Sequence, residues 1–436
     1  MYKRDVINFL FLISFSVYGV GNYVTAAMSP SIGLLLSSCT YLAIVAFYLL
    51  DMVYKKSFEM KLRTGVYWLM VLFLLSAIAA SFVSQFRGFP NMSMNVTVGK
   101  AIALFVPFHA FLVVIWYNRY RGDEILVRLC IGGLSLLLLV NLLGYGAGMT
   151  NQGHSLEGRL NLPFFGGLYS ASSMMIFLSL VLIRQVGMRL TRPTQWSWRL
   201  AFIAINFVMI YLINSRLAIM IFFVILMLMF FGAVRSRAVY WVSLFTIPIV
   251  LSLRFFLYEI VSLPFFAGIM QRVDFQDVTS FNGRAYLWEI GMNWLLTDQR
   301  GILFGNGTGG QYFLDLLTFY ARLWSGGESD LLHFHSSSLE MLVAQGLFGY
   351  VIYAVLLYKV FAYFREKYLK GEPFGDFLPA FVFMLFLLQV DTFVYVTGFG
   401  FMLFAFLLAR VCVKEPVKRS TPAPEALVAE QDVTLV

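Results

Sequence analysis

Charge is scarce in this chain. Only 13% of its 436 residues are Asp, Glu, Lys or Arg, against about 25% in a soluble globular protein. Hydrophobic residues make up 60% and aromatics 17%, and mean hydropathy is +0.79. This balance excludes a soluble fold and leaves an integral membrane protein. Cysteine is nearly absent, and Cys39, Cys130 and Cys412 all lie within or at the end of apolar stretches, so they supply neither a disulfide framework nor metal-ligand spacing. No internal repeat is visible. The net charge of +9 would suggest nucleic acid in a soluble protein, but in a membrane protein basic residues first report topology, so no nucleic-acid partner is expected.

What is present is a series of apolar runs. At ~20 residues per span they predict about twelve transmembrane helices, near 6–26, 32–52, 64–84, 97–117, 125–145, 164–183, 198–214, 216–234, 239–259, 337–358, 377–396 and 397–412. The first run follows Lys3 and Arg4 as a signal peptide would, yet it is long for one and reads as a retained span. With the N-terminus inside, all but nine of the 32 Lys and Arg residues fall on the cytoplasmic side, which places both termini there. The nine are Arg87, Lys100, Arg159, Arg216, Arg254, Arg272, Arg284, Arg300 and Arg322. A cation set against the bias either anchors at headgroup level or has an anionic partner.

The expected organisation is therefore an all-α polytopic protein in four parts. Residues 1–258 hold helices 1–9, residues 259–336 form a large extracytoplasmic loop, residues 337–412 hold helices 10–12, and residues 413–436 form a polar, disordered cytoplasmic tail. Within the loop, Arg284 to Leu296 reads as an amphipathic helix on the membrane surface, opened by Asn282 as N-cap. The glycine cluster FGNGTGG (Phe304 to Gly310) lacks the preceding buried strand that a phosphate loop needs, and reads as a tight turn. A second short helix is expected over Gln311 to Leu323.

Few residues can carry chemistry. Of the histidines, His109 lies inside span four and His154 in an outer loop, while His333 and His335 stand at the mouth of span ten. Two histidines one residue apart, without Cys, make a poor zinc site; general acid–base work suits them better, and a structural role at a helix start remains the plain alternative. Arg216 begins span eight, Arg159 precedes span six and Arg284 opens the loop helix. Three guanidinium forks converging on one cavity would suit a diphosphate; three separate headgroup anchors is the competing reading. The aromatics Tyr286, Trp288, Trp294, Tyr312, Tyr320 and Trp324 could stack on sugar rings, but a membrane-interface belt is the expectation for each.

The order Gly158-Arg159, Ser215-Arg216, GRAYLW (Gly283 to Trp288), FGNGTGG and HSSSLEMLVAQGLFG (His335 to Gly349) resembles the bacterial O-antigen ligase and O-antigen (Wzy-type) or exopolysaccharide polymerase superfamily. Its sharpest element is the ligase pattern met by His335, Ser336, Gly346 and Gly349. The resemblance implies a GT-C-like architecture in the bacterial inner membrane, with an active site facing the periplasm. It implies an undecaprenyl-diphosphate-linked oligosaccharide as donor, an acceptor glycan that is either a lipid-linked repeat unit or lipid A-core, surrounding membrane lipids, and no cofactor. By that resemblance Arg216 and Arg284 hold the diphosphate with Arg159 as a weaker match, and His335 is the general base or acceptor-positioning group. His333 and Ser336 support it, the Gly346 and Gly349 pair lets the helix pack closely behind it, and no metal is involved. Polymerisation leads and ligation is the alternative. The rival from another class is a lipid-linked oligosaccharide flippase or transporter, disfavoured because the one large insertion is off-centre and only Asp391 falls near mid-span.

Overall fold

The computed structural model describes residues 3–56, 60–88, 94–150, 159–189, 193–265, 279–280, 283–297, 301–325, 332–392 and 398–415. The described residues contain no β-strand beyond a single bridge between Leu62 and Val413. In chain order the helices are α1 (Lys3–Ala27), α2 (Pro30–Lys55), α3 (Thr64–Phe86), α4 (Met94–Asn118), α5 (Asp123–Gly146), α6 (Leu168–Arg189), α7 (Pro193–Ile213), α8 (Arg216–Phe230), α9 (Arg237–Leu244), α10 (Thr246–Val261), α11 (Arg284–Thr297), α12 (Asp315–Ser325), α13 (Ser337–Leu369), α14 (Leu378–Val390) and α15 (Phe399–Cys412).

Eight stretches among the described residues are long and apolar enough to cross a membrane. Each of the twelve apolar runs carries a helix among the described residues, but four differ from a simple span. The expected span at 239–259 is α9 and α10, bent by 79°. Pro248 explains the break: its ring would meet the carbonyl of Leu244, the residue at which α9 ends. If this bent pair counts as one span the number rises to nine. The other three are the shorter apolar helices Trp198–Ile213, Arg216–Phe230 and Phe399–Cys412. The last is short because it never meets lipid: every residue of α15 is buried, and a helix apolar on all sides belongs in a protein interior.

The two ends of the bundle differ in chemistry. At the end holding the described termini, Arg410 pairs with Asp123 and Glu415 at 2.8 Å each, Lys367 reaches Glu415 at 2.7 Å, and the Lys414 amide donates to the Lys61 carbonyl at 3.1 Å. Val413 to Glu415 therefore belong to the folded body rather than to the tail; residues 416–436 lie outside the described residues. The opposite end carries the segment between α10 and α13, and is called the loop end below.

Two expectations for that segment change. The helix at Arg284 is not a surface amphipath: Arg284, Ala285, Leu287, Trp288, Ile290, Gly291 and Trp294 are all buried, because α11 packs against Phe334 and Leu339. Trp288 and Trp294 are core residues, not belt residues. Asp391 is not mid-span, because α14 ends at Val390 and Asp391 follows it in extended conformation. Asn282, Gly158, His154, Arg272 and Arg300 lie outside the described residues.

Candidate active site

The segment from Leu332 to Ser336 runs into α13 as a strap clamped on both sides. The buried Phe334 donates its amide to Glu340 Oε1 (3.1 Å) and its carbonyl accepts from Trp288 Nε1 (3.0 Å). Ser336 caps α13, its hydroxyl accepting from the Leu339 amide, and the Ser337 amide and hydroxyl both donate to the Asp391 carbonyl, at 2.9 and 2.8 Å. Between these fixed points His335 has φ +50°, a left-handed conformation that costs an L residue ~1–2 kcal/mol. Strain of this kind collects at functional sites.

His333, one step along the strap, meets a carboxylate that the sequence reading missed. Its Nδ1 lies 3.0 Å from Glu340 Oε1, and Gln311 Nε2 donates to the other oxygen at 2.8 Å. Tyr312 brings its hydroxyl within 2.8 Å of His333 Nε2. Burial alone would lower the imidazole pKa, but the hydrogen bond and charge of Glu340 outweigh it, and His333 titrates above its ordinary value. An acid in the first turn of a helix usually reads as a favourable charge at the dipole's positive end, so nothing in the sequence tied Glu340 to a histidine.

Both diphosphate candidates open helices. Arg284 is the first residue of α11 and only 5% exposed; its Nη1 donates to the Val390 carbonyl at 2.7 Å, and it acts electrostatically on the buried Asp391. Gly283 before it has φ +85°, and a Cβ there would press on the Trp324 ring, which accounts for the Gly-Arg pair. Arg216 is the first residue of α8, after a tight turn in which Asn214 has φ +52°. Ser215 makes no side-chain cap there, and its hydroxyl is buried without a hydrogen-bond partner among the described residues. The α8 helix packs against α14, which runs the opposite way and ends at Val390, so Arg216 and the carbonyl that takes Arg284 share the loop end. Arg159 lies there too, since the Leu160 amide donates to the Leu212 carbonyl near the end of α7.

Other members of the nine have protein partners. Arg87 donates to the Asn306 carbonyl at 3.0 Å and lies over the Phe313 ring, while Arg254 pairs with Glu289 at 3.0 Å. Of the aromatics, Tyr286 and Tyr320 stack at 6.3 Å, Trp324 follows at 5.6 Å, and Tyr286 and Trp324 stay exposed.

The glycine-rich turn is committed to the backbone of its neighbours. Asn306 and Gly307 donate to the Val343 and Ala344 carbonyls at 2.7 and 3.0 Å, Thr308 to Ala80 of α3 at 2.9 Å, and Gly305 and Gly310 close turns within the loop. With these amides engaged it cannot cradle phosphate. Its dock is a break in α13 at Gly346 (φ +68°, ψ −171°), beyond which Leu347 and Phe348 donate to the Ile302 and Leu303 carbonyls at 2.7 and 3.1 Å. The expectation that Gly346 and Gly349 let α13 pack closely is thus revised. Gly346 interrupts the helix, and the space at Gly349 is filled by Gln345, which accepts from Ser76, midway along α3, at 2.7 Å.

Residues 200–354 match the family model described as O-antigen ligase. The match takes in Arg216, Arg284, the glycine turn, both strap histidines and Gly346 to Gly349, but not Arg159. No curated protein matches the chain. The chain is a polytopic membrane protein whose residues 200–354 are similar to the O-antigen ligase family.

Proposed function

We propose that this protein is a membrane glycosyltransferase that moves a glycan from undecaprenyl diphosphate to an acceptor sugar hydroxyl on the extracytoplasmic face of the bacterial inner membrane, polymerising O-antigen or exopolysaccharide repeat units. The observation that carries this reading is the placement of Arg216 and Arg284 as the first residues of two helices at one end of the bundle. Helix N-termini already present positive potential and free amides; an arginine there adds to that field, and the pair suits a diphosphate.

The chemistry follows from those groups. Departure of a lipid diphosphate develops negative charge, and preorganised guanidinium forks stabilise it in a site poor in water. Arg159 extends the same positive end. His335 is the general base or acceptor-positioning group, and single displacement inverts the anomeric carbon. Tyr286 and Trp324 offer exposed ring faces beside Arg284 for the sugars.

Because the arginines supply the electrophilic stabilisation, transfer is expected to proceed at an unchanged rate in the presence of a chelator. Strict dependence on magnesium or manganese, restored by adding the ion back, would refute this leaving-group chemistry.

Ligation to lipid A-core is the second reading, favoured by the O-antigen ligase description of the matching family model. A strain lacking the protein, examined by lipopolysaccharide gel, separates the two. A single repeat on lipid A-core means polymerase, and full-length chains left on the lipid carrier mean ligase. Unaltered lipopolysaccharide and surface polysaccharide would sink both. Substrate counterflow in proteoliposomes without transfer would make the protein a transporter.

A further inference from the structure

Glycosyl transfer to a hydroxyl releases a proton, and two imidazoles stand on the strap that would receive it. We propose that the work is divided: His333, oriented by Glu340, is the base that takes the acceptor's proton, and His335 positions the acceptor. This inference rests on the glycosyltransferase reading above.

Glu340 is 2% exposed and its carboxylate accepts three hydrogen bonds, from His333 Nδ1, the Phe334 amide and Gln311 Nε2. A carboxylate so held cannot swing away, and it fixes the tautomer of the ring before it: Nδ1 carries the hydrogen and Nε2 the lone pair. That is the orienter-and-base arrangement by which a carboxylate makes an imidazole an effective proton acceptor. The His333 side chain is 56% exposed while Glu340 beneath it is enclosed, so a substrate can reach the ring but not its orienter. The Tyr312 hydroxyl lies beside the ring, 2.8 Å from Nε2 and 3.2 Å from Nδ1, off the axis of the Nε2 lone pair, which leaves that axis to an acceptor sugar hydroxyl.

In the step itself, the acceptor oxygen bonds to the anomeric carbon as the bond from that carbon to the diphosphate oxygen breaks. The hydroxyl proton passes to His333 Nε2, and the electron pair of the broken bond leaves on the diphosphate. The imidazolium formed is balanced by Glu340 and then returns its proton to water. Among the described residues, the charged and titratable groups facing the ring are Glu340 from α13 and Tyr312 from the turn before α12, with Gln311 as the neutral member and His335 two residues along. Burial keeps the Tyr312 phenol protonated far above neutrality, so Glu340 sets the His333 titration, and its effect is upward. The neutral, reactive form of His333 therefore appears only as pH rises through a value above about 6.5.

The test uses the full-length chain in detergent, with the lipid-linked glycan that accumulates in a deletion strain as donor, and initial rates measured across the imidazole range. Wild type is expected to lose rate as pH falls, with its midpoint above about 6.5. Glu340→Gln keeps a polar group under the ring but removes the charge, and should move that midpoint down by about one unit. His333→Ala should lower the rate by about 10²-fold or more and flatten the acid limb, whereas His335→Ala should weaken acceptor binding, raising KM, and keep the limb. A limb unmoved in Glu340→Gln and His333→Ala, but lost in His335→Ala, overturns the assignment. If Glu340→Gln gives no folded protein, the His333→Ala and His335→Ala profiles decide alone. No transfer by wild type from this donor would refute the glycosyltransferase reading as a whole; an active wild type with an unmoved limb refutes only the base.

Discussion

Arg216→Ala and Arg284→Ala are each expected to lower glycan transfer by about 10²–10³-fold, the scale of losing one preorganised donor to a developing anion. The two should differ in their effect on the folded protein. Arg216 is half-buried at the start of α8, and its replacement should leave folded yield and thermal midpoint close to wild type. Arg284 is enclosed, holds the Val390 carbonyl and faces the buried Asp391. Truncating it removes the hydrogen bond to the Val390 carbonyl and the positive charge that acts on Asp391, and a buried acceptor left unsatisfied costs about 1–3 kcal/mol. Arg284→Lys separates the two roles. It restores the charge near Asp391, and so most of the stability, but a point charge cannot reproduce the two-pronged fork, and transfer should recover only in part. If both arginines grip one diphosphate, the double variant should lose less than the product of the single losses, because the second removal acts on a site already broken. Near-wild-type turnover of both alanine variants in a purified transfer assay would end the assignment, and headgroup anchoring would then be the better account of Arg216.

How much of this was legible in the sequence depends on the range over which each signal acts. The helices were legible because apolar runs are continuous and local. So were Arg216 and Arg284 as candidates, because a cation against the charge bias stands out in a chain with so few charges. The bend at Phe245 had its signal in Pro248, but an unbroken apolar run on either side hid it. Glu340 was not legible as a partner of His333, since its proximity depends on a left-handed residue at His335 and on Trp288 holding the Phe334 carbonyl from another helix. Trp288 itself was misjudged for a related reason: an aromatic in a loop between spans has the same composition whether it faces headgroups or a protein core, and only the packing of α11 against the strap decides. The break at Gly346 was hidden too. An apolar run passes straight through it, and the carbonyls and amides that make it tolerable come from residues about forty positions upstream.

That break supports a second large expected effect. Gly346→Ala should cost on the order of 5 kcal/mol and yield little folded protein. The first reason is conformational: φ is +68° with ψ near 180°, a region that only glycine occupies readily. The second is contact, since a Cβ at this position would collide with the backbone of Leu303 and Phe304. Forcing α13 back into a continuous helix removes the four backbone hydrogen bonds that dock the glycine turn on the break, each contributing about 1 kcal/mol net, and leaves the turn's own amides and carbonyls without those partners. Gly349→Ala is the control. There the added methyl meets only the Gln345 side chain, which can rotate at the cost of its bond to Ser76, so a loss of about 1 kcal/mol is expected. Thermal midpoints in detergent check the pair, and a Gly346→Ala protein as stable as wild type would show that the break does not hold the turn. The effect should reach the chemistry as well. The turn that docks on Gly346 continues directly into Gln311 and Tyr312, the residues that touch Glu340 and His333, so any folded Gly346→Ala protein should turn over at least tenfold more slowly, with the acid limb of its pH profile displaced rather than preserved.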